Sequence, residues 1–138
     1  GNDGENVDVE IHYPSNFDEN GNIINDKFIV VGASTNSAGK KLPASFSNYG
    51  KKSVDIFSPG QDIYSCAPGN KYESASGTSM ASPVATGVAT IIRAYFPELT
   101  AKEVKEILLE SAVKYDRKVL VPGGSKKKVS FSELSVTG

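Results

Sequence analysis

Apolar and polar positions divide this chain into short strands in its first half and two helices in its second. Phe28-Ile29-Val30-Val31-Gly32-Ala33 is an apolar, partly β-branched run without alternation. Missing alternation predicts a strand covered on both faces, as in a parallel sheet. Val54-Asp55-Ile56-Phe57 predicts a second strand, stopped by Ser58-Pro59-Gly60. Ile63 to Ala67 and Lys71 to Ser74 flank Pro68-Gly69-Asn70, which predicts a hairpin. Residues 1 to 27, rich in Gly, Asn and Asp, read mostly as loop, as does the punctuated stretch from Ser34 to Gly50.

From Ser79 to Tyr95 the period changes to that of a helix, carried by Val84, Val88, Ile91, Ile92 and Tyr95. Ala81, Ala85, Gly87, Ala89 and Ala94 leave little bulk around it, which suits a helix buried against a sheet. Pro83 is expected in its first turn or so, where a missing N–H is tolerated, and Pro97 ends it. A second helix opens with the capping-box pattern Thr100-x-x-Glu103. Its apolar stripe is Val104, Ile107, Leu108 and Ala112, and its charged face predicts a peripheral position. The tail holds a turn at Pro122-Gly123-Gly124 and weak strand signals around Val129 and Phe131. Strands followed by helices predict an α/β domain with a mainly parallel sheet. These elements are too few to finish such a sheet, so an open edge is expected.

Composition adds bounds rather than chemistry. The 138 residues, 38% hydrophobic and 22% charged, are those of one globular domain. Fifteen Lys+Arg against sixteen Asp+Glu give a net charge of -1, with no general drive toward nucleic acid or anionic membrane. No apolar run is long enough to span a bilayer. The single cysteine, Cys66, permits no internal disulfide and reads as a packed small side chain. The opening Gly1-Asn2-Asp3-Gly4 carries neither Met nor an apolar targeting segment, and reads as the start of a piece of something longer.

The chemically informative stretch is Ala75-Ser76-Gly77-Thr78-Ser79-Met80-Ala81-Ser82-Pro83. It places a small Gly before a Ser at the start of a helix. Backbone N–H groups there have no intrahelical partner and carry partial positive charge. A hydroxyl at that point can attack a carbonyl while those N–H groups take up the developing negative charge. The bland alternative is that Thr78 or Ser79 only caps the helix, a common use of both residues.

Gly77 to Pro83 is identical to the nucleophile motif of the subtilisin-like serine proteases, the subtilases. Tyr13-Pro14-Ser15, the strand ending in Val31-Gly32-Ala33, Ala44 to Gly50 and Ser58-Pro59-Gly60 also resemble that family in order and spacing. Gly1-Asn2-Asp3-Gly4 is similar to the family's Gly-Asn-x-Gly, although alone it is only a turn. The resemblance covers residues 1 to 115 and fades in the tail, 116 to 138. It implies the C-terminal part of a three-layer subtilase catalytic domain, spanning the whole chain, 1–138. Ser79 would be the catalytic nucleophile, with Asn2 and the Ser79 N–H as the oxyanion donors. Gly77, Thr78 and Tyr13 would line the substrate groove of an endopeptidase.

The resemblance also sets what is missing. In the family the order is Asp, His, Ser, and no Asp-Ser/Thr-Gly or His-Gly-Thr-His pattern occurs here. His12, the only histidine, falls near the family's primary specificity pocket and reads as a loop residue rather than the base. The chain alone is therefore expected to be inactive. Its expected partners are a polypeptide substrate, the N-terminal half of its own catalytic domain, and further copies of itself. Neither nucleic acid nor a membrane span is expected, and the resemblance points to a secreted or cell-envelope protein. No cofactor is required, although many subtilases bind Ca²⁺. Asp3, Glu5, Asp8 and Glu10 alternate along one loop and fit either an ion or plain solvation. Lys126-Lys127-Lys128 reads as a solvated turn. The competing reading is a non-catalytic subtilase-like module that binds peptides.

Overall fold

In the computed structural model, which describes residues 1–124, 126–135 and 137, a parallel strand pair carries the helix that bears Ser79. The strands are β1 (Val31–Ser34) and β2 (Ile56–Pro59), with Val31 opposite Ile56 and Ser34 opposite Pro59. Two antiparallel pairs stand apart from them: the hairpin β3 (Ile63–Ala67) with β4 (Lys71–Ala75), and β5 (Lys118–Leu120) with β6 (Lys128–Ser130). The long helix α1 (Thr78–Tyr95) packs on β1 and β2, and α2 (Ala101–Ser111) lies against α1. Among the described residues the parallel ladder joins β1 and β2, Asn6 and Tyr49 add one isolated parallel bridge, and the chain is an α/β fragment.

The strands begin later than the apolar runs predict, for a chemical reason. Just before β1, Phe28 O and Val30 N are engaged by side chains, while Val30 O still accepts from the backbone of Asp55 and Ile56. Phe28 O accepts from Lys105 Nζ at 2.7 Å, and Val30 N donates to Asp55 Oδ2 at 2.8 Å. Asp55 is buried and also pairs with Lys105 at 3.0 Å and with Asn16 Nδ2 at 2.9 Å. This charged knot ties the N-terminal loop, the sheet and α2 together. Strand β2 likewise runs through Ser58 and Pro59, which were expected to stop it. Phe131, expected near a strand, instead opens a short 3-10 turn, Phe131–Glu133, and is buried.

Two small cores hold these pieces. Leu42, Val119, Phe131 and Leu134 form one, with Phe57 and Tyr115 packed against Phe131. Ala33, Ala44 and Ala81 form the other, with Val31 and Phe46 packed against it. Gly60 sits close beside it. A Cβ there would lie 2.7 Å from the Ala33 methyl, 2.8 Å from Gly77 O and 3.0 Å from the Ala81 methyl. Gly77 N donates to Gly60 O at 2.8 Å, so the end of β2 directly seats the start of α1.

Only one face of α1 is covered, contrary to the burial its small residues suggest. Ala81 and Ala85 are buried, whereas Val84, Val88, Ile91 and Tyr95 are exposed. Pro83 is the sixth residue of α1, in its second turn. Lacking an N–H, it leaves the Ser79 carbonyl without its helical partner. The capping box of α2 forms as its sequence predicts. Glu103 N donates to Thr100 Oγ1, and Thr100 N donates to Glu103 Oε2 at 2.8 Å. Val104 and Leu108 face inward, while Ile107 stays partly exposed and Ala112 becomes the C-cap. The predicted glycine turn is present, with φ of 84° at Gly123 and 75° at Gly124. Residues 19 to 27 extend a surface loop in which Asp18 accepts from Asn20 N and Asn22 N. Hydrogen bonds from Asn22 hold the Asp18 carboxyl below its ordinary range.

Candidate active site at the start of the long helix

Ser79 is the second residue of α1 and is exposed, and its Oγ makes no hydrogen bond among the described residues. The turn that delivers it is extended at Gly77, whose own side chain cannot cap. The cap comes from elsewhere in the chain. Thr78 N–H and Thr78 Oγ1–H both donate to Asn2 Oδ1, each at 2.9 Å. With its carbonyl oxygen turned to the helix, Asn2 presents its amide nitrogen away from it. Asn2 Nδ2 lies 3.4 Å, and Ser79 N 3.7 Å, from the point where a Cβ on Gly77 would stand. Among the described residues neither nitrogen finds an acceptor. Two nitrogens without an acceptor among the described residues, Asn2 Nδ2 and Ser79 N, therefore both lie near the position a Gly77 Cβ would take.

Asn2 is held although it lies at the chain end, where order is usually lost. Residues 1–7 run beside residues 46–49, bonded by Gly4 N to Phe46 O at 2.9 Å and Val7 N to Tyr49 O at 2.8 Å. Asn48, only 4% exposed, is the clamp. Its Oδ1 accepts from Asp3 N at 2.9 Å and Glu5 N at 3.1 Å, and its backbone N–H donates to Gly1 O at 2.9 Å. Sequence reasoning placed Asn48 only within a loop similar to the family's. Its role as a clamp rests on pairings more than forty residues apart, which no local pattern announces.

A cleft of about 470 Å³ opens beside Ser79. Thr78, Ser79 and Ser82 line one part of it, and His12, Tyr13 and Pro14 another. Asn2, Gly77, Thr78 and Ser79 are brought together, and Tyr13 lines the same cleft as Thr78 and Ser79. His12 is not directed at Ser79 Oγ. Its Nε2 pairs with Glu5 Oε2 at 2.8 Å, and Asn48 Nδ2 lies 3.3 Å from its Nδ1. Burial lowers the Gly1 α-amino group from its ordinary range, opposed by Asp3.

The acidic loop does not act as a unit. Asp8 accepts from the backbone N–H groups of Lys52 and Ser53, at 3.1 and 2.8 Å, and so serves a turn. Asp3 and Glu5 instead converge with His12, their ligand atoms all within 4.8 Å of one another. Cys66, expected to be packed, is exposed on β3 because both faces of that hairpin meet solvent.

A sequence profile of the subtilase family matches residues 1–132. This chain belongs to the subtilase family. The cell wall-associated protease of Bacillus subtilis is 38% identical over 112 residues, which is 81% of this chain and 11% of that protein. Subtilisin DY of Bacillus licheniformis is 39% identical over 87 residues, 63% of this chain and 30% of that protein. The crystal structure of a cold adapted subtilisin-like serine proteinase superposes with a TM-score of 0.60 at 30% identity. It covers 76% of this chain and 35% of the other. The chain thus spans between 11% and 35% of the length of these subtilases. Among its described residues no helix is long and apolar enough to cross a membrane.

Proposed function

We propose that this chain is the nucleophile-bearing part of a serine endopeptidase domain, with Ser79 attacking the peptide carbonyl. The carrying observation is the double hydrogen bond from Thr78 to Asn2, which sets an amide nitrogen beside a serine with a free N–H. Asn2 Nδ2 and Ser79 N–H together take up the charge on the tetrahedral oxygen. In subtilisin itself, losing one such donor costs roughly 10²–10³ in kcat. The aspartate and histidine that complete the triad come from sequence upstream of Gly1. That histidine takes the Ser79 Oγ proton as the Oγ–carbon bond forms, then delivers it to the leaving amine as the C–N bond breaks. Water, activated by the same histidine, then hydrolyses the acyl-serine.

The substrate is a polypeptide lying along Gly77, Thr78 and Tyr13. On this reading the isolated chain is inactive, since removing the triad histidine of subtilisin costs about 2 × 10⁶ in kcat. The upstream segment also supplies strands that extend β1–β2, because a parallel sheet of two strands is hard to stabilise by itself. The relatives' character as proteases, one of them associated with the cell wall, supports a secreted or envelope location. Neither a metal nor a cofactor takes part in the chemistry, although a Ca²⁺ in a loop remains compatible with it.

A fluorophosphonate probe, which labels only activated serines, tests this. The longer polypeptide should be labelled at Ser79, while its Ser79→Ala variant and this chain alone should not. A folded longer polypeptide that stays unlabelled would favour the peptide-binding module. Labelling of this chain alone would mean another base reaches Ser79.

A further inference from the structure

Behind the wall of the cleft stands a charged pair that the hydrolytic reading leaves unused. Lys105 belongs to α2, whose Lys102, Glu106 and Glu110 are exposed, yet its own side chain is only 13% exposed. Its three ammonium protons meet three oxygens: Phe28 O at 2.7 Å, Asp55 Oδ1 at 3.0 Å and Asp55 Oδ2 at 3.1 Å. Asp55 in turn accepts from Val30 N at 2.8 Å and from Asn16 Nδ2 at 2.9 Å. Both ends of this knot reach the cleft. Residues 28–31 line it without a break, and so do Tyr13, Pro14 and Ser15, which run directly into Asn16. Lys105 and Asp55 do not line it themselves, so they hold these two stretches of wall from behind. Asp55 is 4% exposed, and a carboxylate so buried is costly unless a cation meets it. Without the ammonium, the Phe28 carbonyl and the Asp55 carboxylate would both have to find new partners, and the wall would shift to do so.

We propose that Lys105 is a positioning residue for substrate binding: through Asp55 and the Phe28 carbonyl, its ammonium holds the cleft wall in the shape that receives the polypeptide. The inference rests on the reading of Ser79 as nucleophile. The bonds from Thr78 to Asn2 that set the oxyanion donors lie outside this knot. Loss of the ammonium therefore weakens binding of the polypeptide and spares the step at Ser79. Charge at one point is what the knot needs, because a neutral stem of the same bulk offers the three oxygens no proton.

The test uses the longer polypeptide and a peptide anilide substrate. Lys105→Met, which keeps the stem and removes the charge, should raise KM by about tenfold and leave kcat nearly unchanged. Labelling of its Ser79 by fluorophosphonate should reach the same extent as in the unaltered protein. In Lys105→Ala, added n-propylammonium replaces the missing methylenes and the charge, and should bring KM back toward its original value. The neutral n-propanol should not. Where the lysine variants fail to fold, Asn16→Ala decides, since it leaves the ion pair whole and cuts only the tie to residues 13–15. Its KM should rise while kcat holds. An unchanged KM in Lys105→Met, or in Asn16→Ala where that variant decides, overturns the inference. So does rescue by propanol as well as by propylammonium. A fall in kcat and in labelling together, with KM constant, marks a cross-link that only keeps the domain folded, and also overturns it. If the unaltered polypeptide neither cleaves the anilide nor is labelled at Ser79, the hydrolytic reading itself falls.

Discussion

A single buried amide, that of Asn48, decides whether Asn2 can reach Thr78. It accepts from Asp3 and Glu5 N–H groups and spans to the His12 ring. Asn48→Ala would strand two backbone donors in a partly buried place, at about 1–3 kcal/mol. Chemical denaturation should show that loss, and Ser79 labelling in the longer polypeptide should fall with it. A variant of unchanged stability and labelling would show that residues 1–7 hold themselves in place. At this scale the sequence speaks unevenly. Ser79 and Asn2 stand in recognisable short motifs, so both are legible. Asn48, and the Asp55–Lys105 pair fifty residues apart, act through contacts that only the folded chain brings together. Asp55 in particular stands within the predicted strand Val54 to Phe57, where nothing local announces its bonds to Asn16, Val30 and Lys105.

Elements depend on how tightly their ends are seated. The start of α1 rests on Gly60, where a methyl group would meet the Ala33 methyl, Gly77 O and the Ala81 methyl. Gly60→Ala should therefore cost about 1–3 kcal/mol by overpacking, and should move Ser79 away from Asn2. Unchanged thermal stability would show that the helix can slide without penalty. At α2, hydrogen bonds from Thr100 hold the Glu103 carboxyl below its ordinary range. A carboxyl depressed by folding stabilises above its unfolded pKa, and that support is lost as pH falls through the folded value. The first turn of α2 should thus weaken on acidification below the usual glutamate range. Thr100→Ala should flatten that part of the stability–pH curve, as thermal melts at successive pH values would show. The helices were legible because 3.6-residue spacing is local, as is the capping box of α2. Strand limits were not, since the Phe28 carbonyl and the Val30 N–H are taken by the side chains of Lys105 and Asp55.

For the whole molecule, the unbalanced feature is the bare side of α1. Val88 is 44%, Ile91 61% and Tyr95 78% exposed, a contiguous apolar stripe on the helix that carries Ser79. Such a stripe marks a surface that another piece of protein covers. In isolation the chain should self-associate in a concentration-dependent way, and sedimentation should show species larger than a monomer. A clean monomer across the accessible concentrations would mean the stripe tolerates water. The small residues of α1 make it look like a buried helix, and half of that expectation is met. What the pattern cannot say is which protein segment performs the burying.

The bond between Asn2 and Thr78 also has a use as a gauge. Hydrogen exchange of a backbone amide slows when its proton is held by a partner that must first let go. The Thr78 amide is held by a side chain from the other end of the chain, not by its own helix. Its protection in deuterated water should therefore follow the docking of residues 1–7 and stay apart from that of the α1 interior. An isotope label at one position would then time the assembly of the oxyanion donors without any substrate present. If Thr78 and the α1 interior exchanged together, the clamp and the helix would be one cooperative unit.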